Sequence, residues 1–492
     1  MLVNSTALNV VCRIIFTILV LSKSVKCHSS FPSFVNGKLA ENPSKYGNKE
    51  ITEKCFCDNL LEEPIGDCEC NVAYVDSFNN KKIFPVLASL LFKSYFRFYK
   101  VNLFKKCPFW DDTEGKCSFQ NCAVKEFPLD SLPAALKAVD DNLKLNYKPP
   151  AKEEPCTSSR EERLSSINDT ISTAASENIA TWQEHDAKMG SYCAMDEEQP
   201  DDQTYVDLTL NPERYTGYIG REAHKIWRAI YEGNCFKTPR THGLFSDTWN
   251  VEGMCFEERI FYRAISGLHT SISMHVSLKY LQPTAEISNV TGNRIDSIGT
   301  WGPNIAEFHN RFNPTKTNGN GPEWLRNLYL LYLNELRALE KAAPYLETFD
   351  YYTGNSEEDI ETKEAVQGIL RIIKSFEHHF DETTMFFGGQ EAIKRKNDFR
   401  LHFYNVSRIM DCVGCQKCRL WGKLQIQGLG TAVKILFSPS FEAPESTVFN
   451  LKSKEKAHFK LTRNEVVALF NGFGRLSESI HGLEIFRKLH WS

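Results

Sequence analysis

Apolar residues recur at helical spacing through most of the second half of the chain, and that period sets the expected architecture. Residues 221–232 place Ala223, Ile226, Trp227 and Ile230 on one face, and 256–281 place Ile260, Phe261, Ile265, Leu268 and Ile272 at the same interval. Leucines repeat likewise over 324–341, and helical patterns cover 359–380 and 390–411. Pro212, Pro239, Pro314 and Pro344 fall where helices start or stop. Alternation of period two is scarce, so the expected fold is mainly α, a helical bundle over 204–492.

Three segments precede that body. Residues 1–27 read as a secretory signal, because Arg13 leads into the apolar run Ile14 to Leu21, too short to span a bilayer, and a small polar stretch follows from Ser22. An uncleaved anchor is the alternative. Residues 28–127 form a disulfide-rich, loop-rich region. Residues 128–203 are charged and small, with Pro149-Pro150 and an acidic run from Asp196 to Asp202, which predicts a polar, flexible connector. Everything from 28 to 492 is expected to form one domain.

The formal charge of -4 over 492 residues removes nucleic acid from the partners considered. No later stretch approaches a membrane span, so membrane association is at most peripheral. Cysteine changes the picture more: fourteen of the sixteen lie beyond the signal, an even number in a chain bound for an oxidising compartment. There Asn168, Asn289 and Asn405 become candidate glycan acceptors. The C-terminus, Leu489-His490-Trp491-Ser492, carries no retrieval signal, so any residence in the endoplasmic reticulum would have to depend on a retained partner. Cys55-Phe56-Cys57 faces Cys68-Glu69-Cys70 across a short loop, and nested bridges Cys55–Cys70 and Cys57–Cys68 suit that symmetry; a zinc knuckle is the rival.

The densest chemistry is Cys412-Val413-Gly414-Cys415-Gln416-Lys417-Cys418. An iron–sulfur run needs a fourth cysteine where Gly422 stands, and zinc needs ligands from elsewhere, so no metal is expected. As a dithiol, Cys415 and Cys418 meet across one helical turn, with Lys417, Arg419 and Lys423 favouring thiolate over thiol. A second close pair, Cys117 and Cys122, lies beside the polar connector, and two reactive pairs suggest a relay toward an electron acceptor. A flavin is the usual organic carrier that passes electrons to oxygen. Gly428-Leu429-Gly430 and Gly472-Phe473-Gly474 each lack the third glycine of a dinucleotide loop, so arginines and aromatics on helices must grip it. The reading from another class is a secreted binding protein whose cysteines are all structural.

Four blocks taken in order resemble the endoplasmic reticulum oxidoreductins: Cys412 to Lys423 (CVGCQKCRLWGK), Asn211 to Tyr218 (NPERYTGY), Cys107-Pro108-Phe109-Trp110, and Phe261 to His269 (FYRAISGLH). The resemblance runs from about Cys55 to the C-terminal helices. It implies a single, mainly helical domain that encloses FAD, oxidises protein disulfide isomerase in the lumen of the endoplasmic reticulum, and reduces oxygen to hydrogen peroxide. By position, Cys117 and Cys122 correspond to a shuttle pair, and Cys415 and Cys418 to the pair beside the flavin, Cys418 the nearer. Cys107–Cys412 would tether the segment to the core, and Cys235–Cys255 would be structural.

The family's flavin-binding positions fall on Arg214, Thr216, Trp227, Ser266, His269 and Arg311. Taken without the family, Ser266 and His269 read as a hydrogen-bonded core pair and Trp227 as ordinary packing. A further family arginine is missing after Gly321-Pro322, leaving either Arg326 as its substitute or no such contact. Phe127 stands where vertebrate members carry a regulatory cysteine, so an off state falls to Cys117–Cys156 instead.

Overall fold

A computed structural model describes residues 56–110, 123–137, 203–218, 220–236, 254–282, 300–378, 380–386, 389–438 and 461–491. The signal, most of the connector, Cys55, Cys117, Cys122, Cys156, Cys193, Asn168 and Asn289 lie outside the described residues. The chain is mainly α. In the N-terminal region α1 (Val72–Phe78) runs through a π turn into α2 (Phe84–Leu91), and β1 (Phe98–Val101) follows. β1 pairs antiparallel with β2 (Thr204–Asp207), Phe98 opposite Asp207 and Val101 opposite Thr204, which joins this region to the body across the connector.

The body begins with α3 (Arg221–Asn234) and α4 (Phe256–Leu278), followed by a short hairpin of β3 (Tyr280–Gln282) and β4 (Thr300–Gly302). Next come α5 (Ile305–Phe312), α6 (Gly321–Leu346), α7 (Ser356–Ile373), α8 (Gly389–Ile409), α9 (Gln416–Leu436) and α10 (Arg463–Trp491). Helices α4, α6, α9 and α10 pack on one another as the central bundle. Pro344 lies inside α6 rather than at its boundary, in the last turn.

Every residue of α9 from Lys417 to Leu436 is buried. Its polar side chains are matched internally, as burial requires: Lys434 pairs with Glu465 at 2.6 Å and Gln425 donates to Glu213 at 3.0 Å. The crossing with α10 is made at glycines. A Cβ on Gly428 would stand 2.6 Å from the Ala468 carbonyl oxygen and 3.4 Å from Gly472 Cα, so Gly428 and Gly472 serve close helix packing rather than a phosphate. Glu465 also closes a capping box with Thr462, accepting from the Thr462 N–H at 2.7 Å while the Thr462 hydroxyl accepts from the Glu465 N–H at 3.2 Å. Glu465→Ala therefore strands the buried Lys434 ammonium and frays α10. Chemical denaturation is expected to show a loss of about 3–5 kcal/mol.

Three bridges expected at the sequence level are corrected. Cys57 is disulfide-bonded, but Cys68 and Cys70 are thiols, so neither Cys57–Cys68 nor Cys55–Cys70 is formed. The loop is organised by charge instead: Asp67 pairs with Arg259 at 2.6 Å and Arg263 at 2.8 Å. Cys235 and Cys255 are likewise thiols, Cys235 buried at the end of α3 and Cys255 hydrogen-bonded to the Glu257 carboxylate. Asn405 is 4% exposed within α8, where a glycan has no room, so it is withdrawn as an acceptor.

Candidate active site

Cys415 is the N-cap of α9, its sulfur accepting from the Cys418 N–H at 3.3 Å. The turn before it is held twice. Cys412 is bonded to Cys107, 305 residues away in sequence. Arg419 donates to the carbonyls of Val413 at 2.7 Å, Leu103 and Lys105, while Lys423 pairs with Asp411 at 2.7 Å. Arg419 and Lys423, expected to polarise the dithiol, thus clamp the chain that leads into it.

Cys415 is held below the usual thiol range, first by the Cys418 thiol that donates to it, then by the backbone N–H groups of Cys418 and Lys417 and the Lys417 charge, against its burial. Cys418 is pushed well up by burial and by its hydrogen bond with Cys415. Of the two sulfurs, Cys415 therefore gives up its proton the more readily. Lys417 is itself held low by burial and by the adjacent charges of Arg214 and Lys125, two cations the local sequence does not place there.

Residues 211–218 cover the pair. A Cβ on Gly217 would lie 2.3 Å from the Cys418 sulfur and 2.7 Å from the Cys415 sulfur. The Tyr218 hydroxyl donates to the Cys418 carbonyl, and the Trp421 indole donates to the Asn211 carbonyl at 2.9 Å. Beneath this lid of backbone Cys415 is 5% and Cys418 1% exposed. The Asn211 side chain in turn accepts from the Lys125 N–H at 2.7 Å, and the Val124 N–H donates to Gln416 at 3.4 Å.

The 3-10 turn Tyr215–Tyr218 packs on α9 on one side and on α4 on the other. α4 presents Ser266 and His269, and α3 presents Trp227, whose ring stacks on His269 at 3.8 Å and 12°. Tyr231 links the two α4 residues, through Ser266 and through a 3.3 Å contact of its hydroxyl with His269 Nδ1. Asn327 donates to the Ser266 hydroxyl at 3.0 Å. Burial, helped by the Arg311 charge, holds His269 down to about 3, so the ring is neutral. Arg311 is buried beside it and paired with Glu307 at 2.7 Å.

Trp227, Ser266, His269 and Arg311 therefore meet in one cluster. Arg214 stands apart, over the Trp301 ring at 4.9 Å, at the head of the connecting turn; the Thr216 side chain lies outside the described residues. Arg326 pairs with Glu63 at 2.9 Å, toward the N-terminal region. Tyr231 and Asn327 join the cluster without having been read from the sequence. Tyr231 was findable, four residues after Trp227 on the same helical face. Among the described residues no group of three or more His, Cys, Asp or Glu is placed to hold a metal.

A family profile described as Endoplasmic Reticulum Oxidoreductin 1 (ERO1) matches residues 82–483. An Ero1-like protein of Drosophila melanogaster is 45% identical, covering 89% of this chain and 91% of its own. ERO1-like protein alpha of Rattus norvegicus is 46% identical, covering 89% and 92%. A cysteine-to-alanine mutant structure of S. cerevisiae Ero1p superposes with a TM-score of 0.52 at 28% identity, covering 85% of this chain and 97% of that one. A structure of Ero1p described as a source of disulfide bonds for oxidative protein folding gives 0.53 at the same identity and coverage. With most of the chain matched in sequence and its helical bundle matched in three dimensions, the protein belongs to the endoplasmic reticulum oxidoreductin 1 family.

Proposed function

We propose that this chain is a thiol oxidase of the endoplasmic reticulum lumen that oxidises protein disulfide isomerase and passes the electrons through FAD to oxygen, giving hydrogen peroxide. The observation that carries it is the placement of the Cys415–Cys418 sulfurs at the start of α9, under the turn that also packs on the helix bearing Ser266 and His269. No described helix is long and apolar enough to cross a membrane.

The residues around His269 suit FAD. The Arg311 guanidinium matches a diphosphate, the faces of Trp227 and His269 match flat rings, and the Ser266 hydroxyl adds a polar contact; Arg214, set apart over Trp301, and Thr216 are the remaining positions assigned to it. Bound FAD supplies the two-electron acceptor that reacts onward with oxygen. The chain itself must keep water from that chemistry and bring sulfur to it; the burial of Cys418 serves the first, and the second is the part assigned to Cys418 here.

That sealing creates a need. A folding enzyme's thiol cannot reach a sulfur that is 5% exposed, so a carrier pair has to enter in its place. Cys117 and Cys122 are assigned that task. Both flanks of their segment are fixed at the dithiol, by Cys107–Cys412 upstream and by Val124 on Gln416 downstream. Exchange then proceeds through mixed disulfides, with Cys415 as the attacked sulfur. Replacing both Cys117 and Cys122 by alanine is expected to lower oxidation of the isomerase at least tenfold, while a small dithiol still reduces the Cys415–Cys418 pair. Equal turnover of the isomerase by this variant, followed with an oxygen electrode, is the contrary result.

A further inference from the structure

The segment that covers the dithiol holds a buried carboxyl group with no task in the exchange so far described. Glu213 is 1% exposed. Its Oε1 accepts from Gln425 at 3.0 Å, and its Oε2 lies 3.0 Å from Arg475 Nε. Gln425 stands two turns beyond Cys418 on the same face of α9. The Arg475 guanidinium lies 3.8 Å over the ring of Trp421, one turn from Cys418, and Tyr218 of Glu213's own segment bonds the Cys418 carbonyl. Carboxyl and sulfur are thus both enclosed by the packing of α9, α10 and the covering segment, and the Glu213 charge reaches the Cys418 sulfur. The charged and titratable groups facing Glu213 are Arg475 and Glu478 from α10, Lys279 from the end of α4 with His275 behind it, Cys418 from α9, and Tyr218.

Thiol exchange makes a demand on this compartment. An incoming thiolate bonds to the Cys415 sulfur, the Cys415–Cys418 bond breaks, and its electron pair departs on the Cys418 sulfur. That sulfur is 1% exposed, and burial makes its anion strongly basic. Bulk water cannot serve it. Resting on the oxidase reading above, we propose that Glu213 is the proton store of the pair, giving its proton to the Cys418 sulfur when the disulfide opens and recovering it when the disulfide closes. The second incoming thiolate then frees Cys415 as a thiolate. In sum a dithiolate, the disulfide and a carboxylic acid become a new disulfide, the Cys415 thiolate, the Cys418 thiol and a carboxylate beside Arg475, with charge conserved.

Burial pushes Glu213 up to about 8, so it carries the proton at neutral pH and loses it above. The test is the rate at which a small dithiol reduces the Cys415–Cys418 disulfide of the full chain. Thiols are trapped and counted by mass spectrometry over about pH 6.5 to 9.5, and rates are divided by the dithiolate present. The wild type is expected to fall about tenfold per pH unit above that inflection. Glu213→Gln is expected to be flat, and about 10²-fold slower below it. Gln425→Leu removes a hydrogen bond that favours the carboxylate, so its inflection moves to higher pH. An inflection that survives Glu213→Gln, or one that Gln425→Leu leaves in place, overturns the proposal; should the glutamine variant fail to fold, the leucine variant decides. A wild-type pair that exchanges at no pH instead refutes the oxidase reading.

Discussion

Cys415→Ala is expected to abolish oxidation of protein disulfide isomerase, with oxygen consumption falling at least ~10²-fold. The size of the effect follows from the asymmetry of the pair. Cys415 is the sulfur whose thiolate is favoured, by the thiol and backbone N–H groups aimed at it and by Lys417. Cys418 cannot replace it, because burial keeps it protonated and the Gly217 turn lies against it. Without Cys415 there is neither a disulfide to accept electrons nor an attacking group to regenerate one. The fold is expected to survive, since Cys415 is outside the Cys107–Cys412 tether and the substitution removes only one small buried side chain. An oxygen electrode trace like that of the wild type contradicts the assignment.

Gly217→Ala is expected to be nearly as severe, although Gly217 has no side chain to take part in the exchange. The added methyl would lie 2.3 Å from the Cys418 sulfur and 2.6 Å from Cys415 Cβ, far inside van der Waals contact. Either the turn lifts off α9 or the sulfurs rotate away. Overpacking of this kind costs about 1–3 kcal/mol, and a displacement of 1 Å at a reacting centre costs roughly 10²-fold in rate. The same turn packs on the helix carrying Ser266 and His269, so loosened flavin is expected alongside the lost turnover. Gly368→Ala is the control: nothing lies within 4 Å of its new methyl, and a helix gains about 1 kcal/mol when glycine becomes alanine. Equal activity in the two variants contradicts the close cover over the dithiol.

The helices with a regular apolar period were legible in the sequence. α3, α4, α6, α7 and α8 each show apolar residues at helical spacing, and their observed bounds lie within a few residues of the expected ones except at the end of α7, which stops at Ile373 rather than 380. α9 and α10 left no such stripe beyond the first turn at the cysteines. A helix buried on every side has no solvent face to mark, and Lys423, Lys434, Gln425 and Gln427 of α9 are paired inside the protein, which sequence reads as polarity. A local signal for α10 was nevertheless present in Thr462-Arg463-Asn464-Glu465, a capping box.

The site was legible where residue type and spacing determine chemistry, as with Cys415 and Cys418 on one turn. It was not legible where long-range geometry decides. Arg419 and Lys423 sit beside the cysteines in sequence yet turn to Val413 and Asp411, whereas Arg214 and Lys125 come from distant segments to flank Lys417. The pairing of Cys57, Cys68 and Cys70 failed for the same reason: symmetry in sequence says nothing of the arginines that organise Asp67.

The most direct test is the visible absorption of the purified full chain, recorded before and after reduced protein disulfide isomerase is added without oxygen. A flavin spectrum that bleaches in the wild type and stays unbleached in Cys415→Ala is the predicted result. A colourless protein, or a flavin that bleaches equally in both, would show that the buried pair is not the path by which electrons reach the flavin.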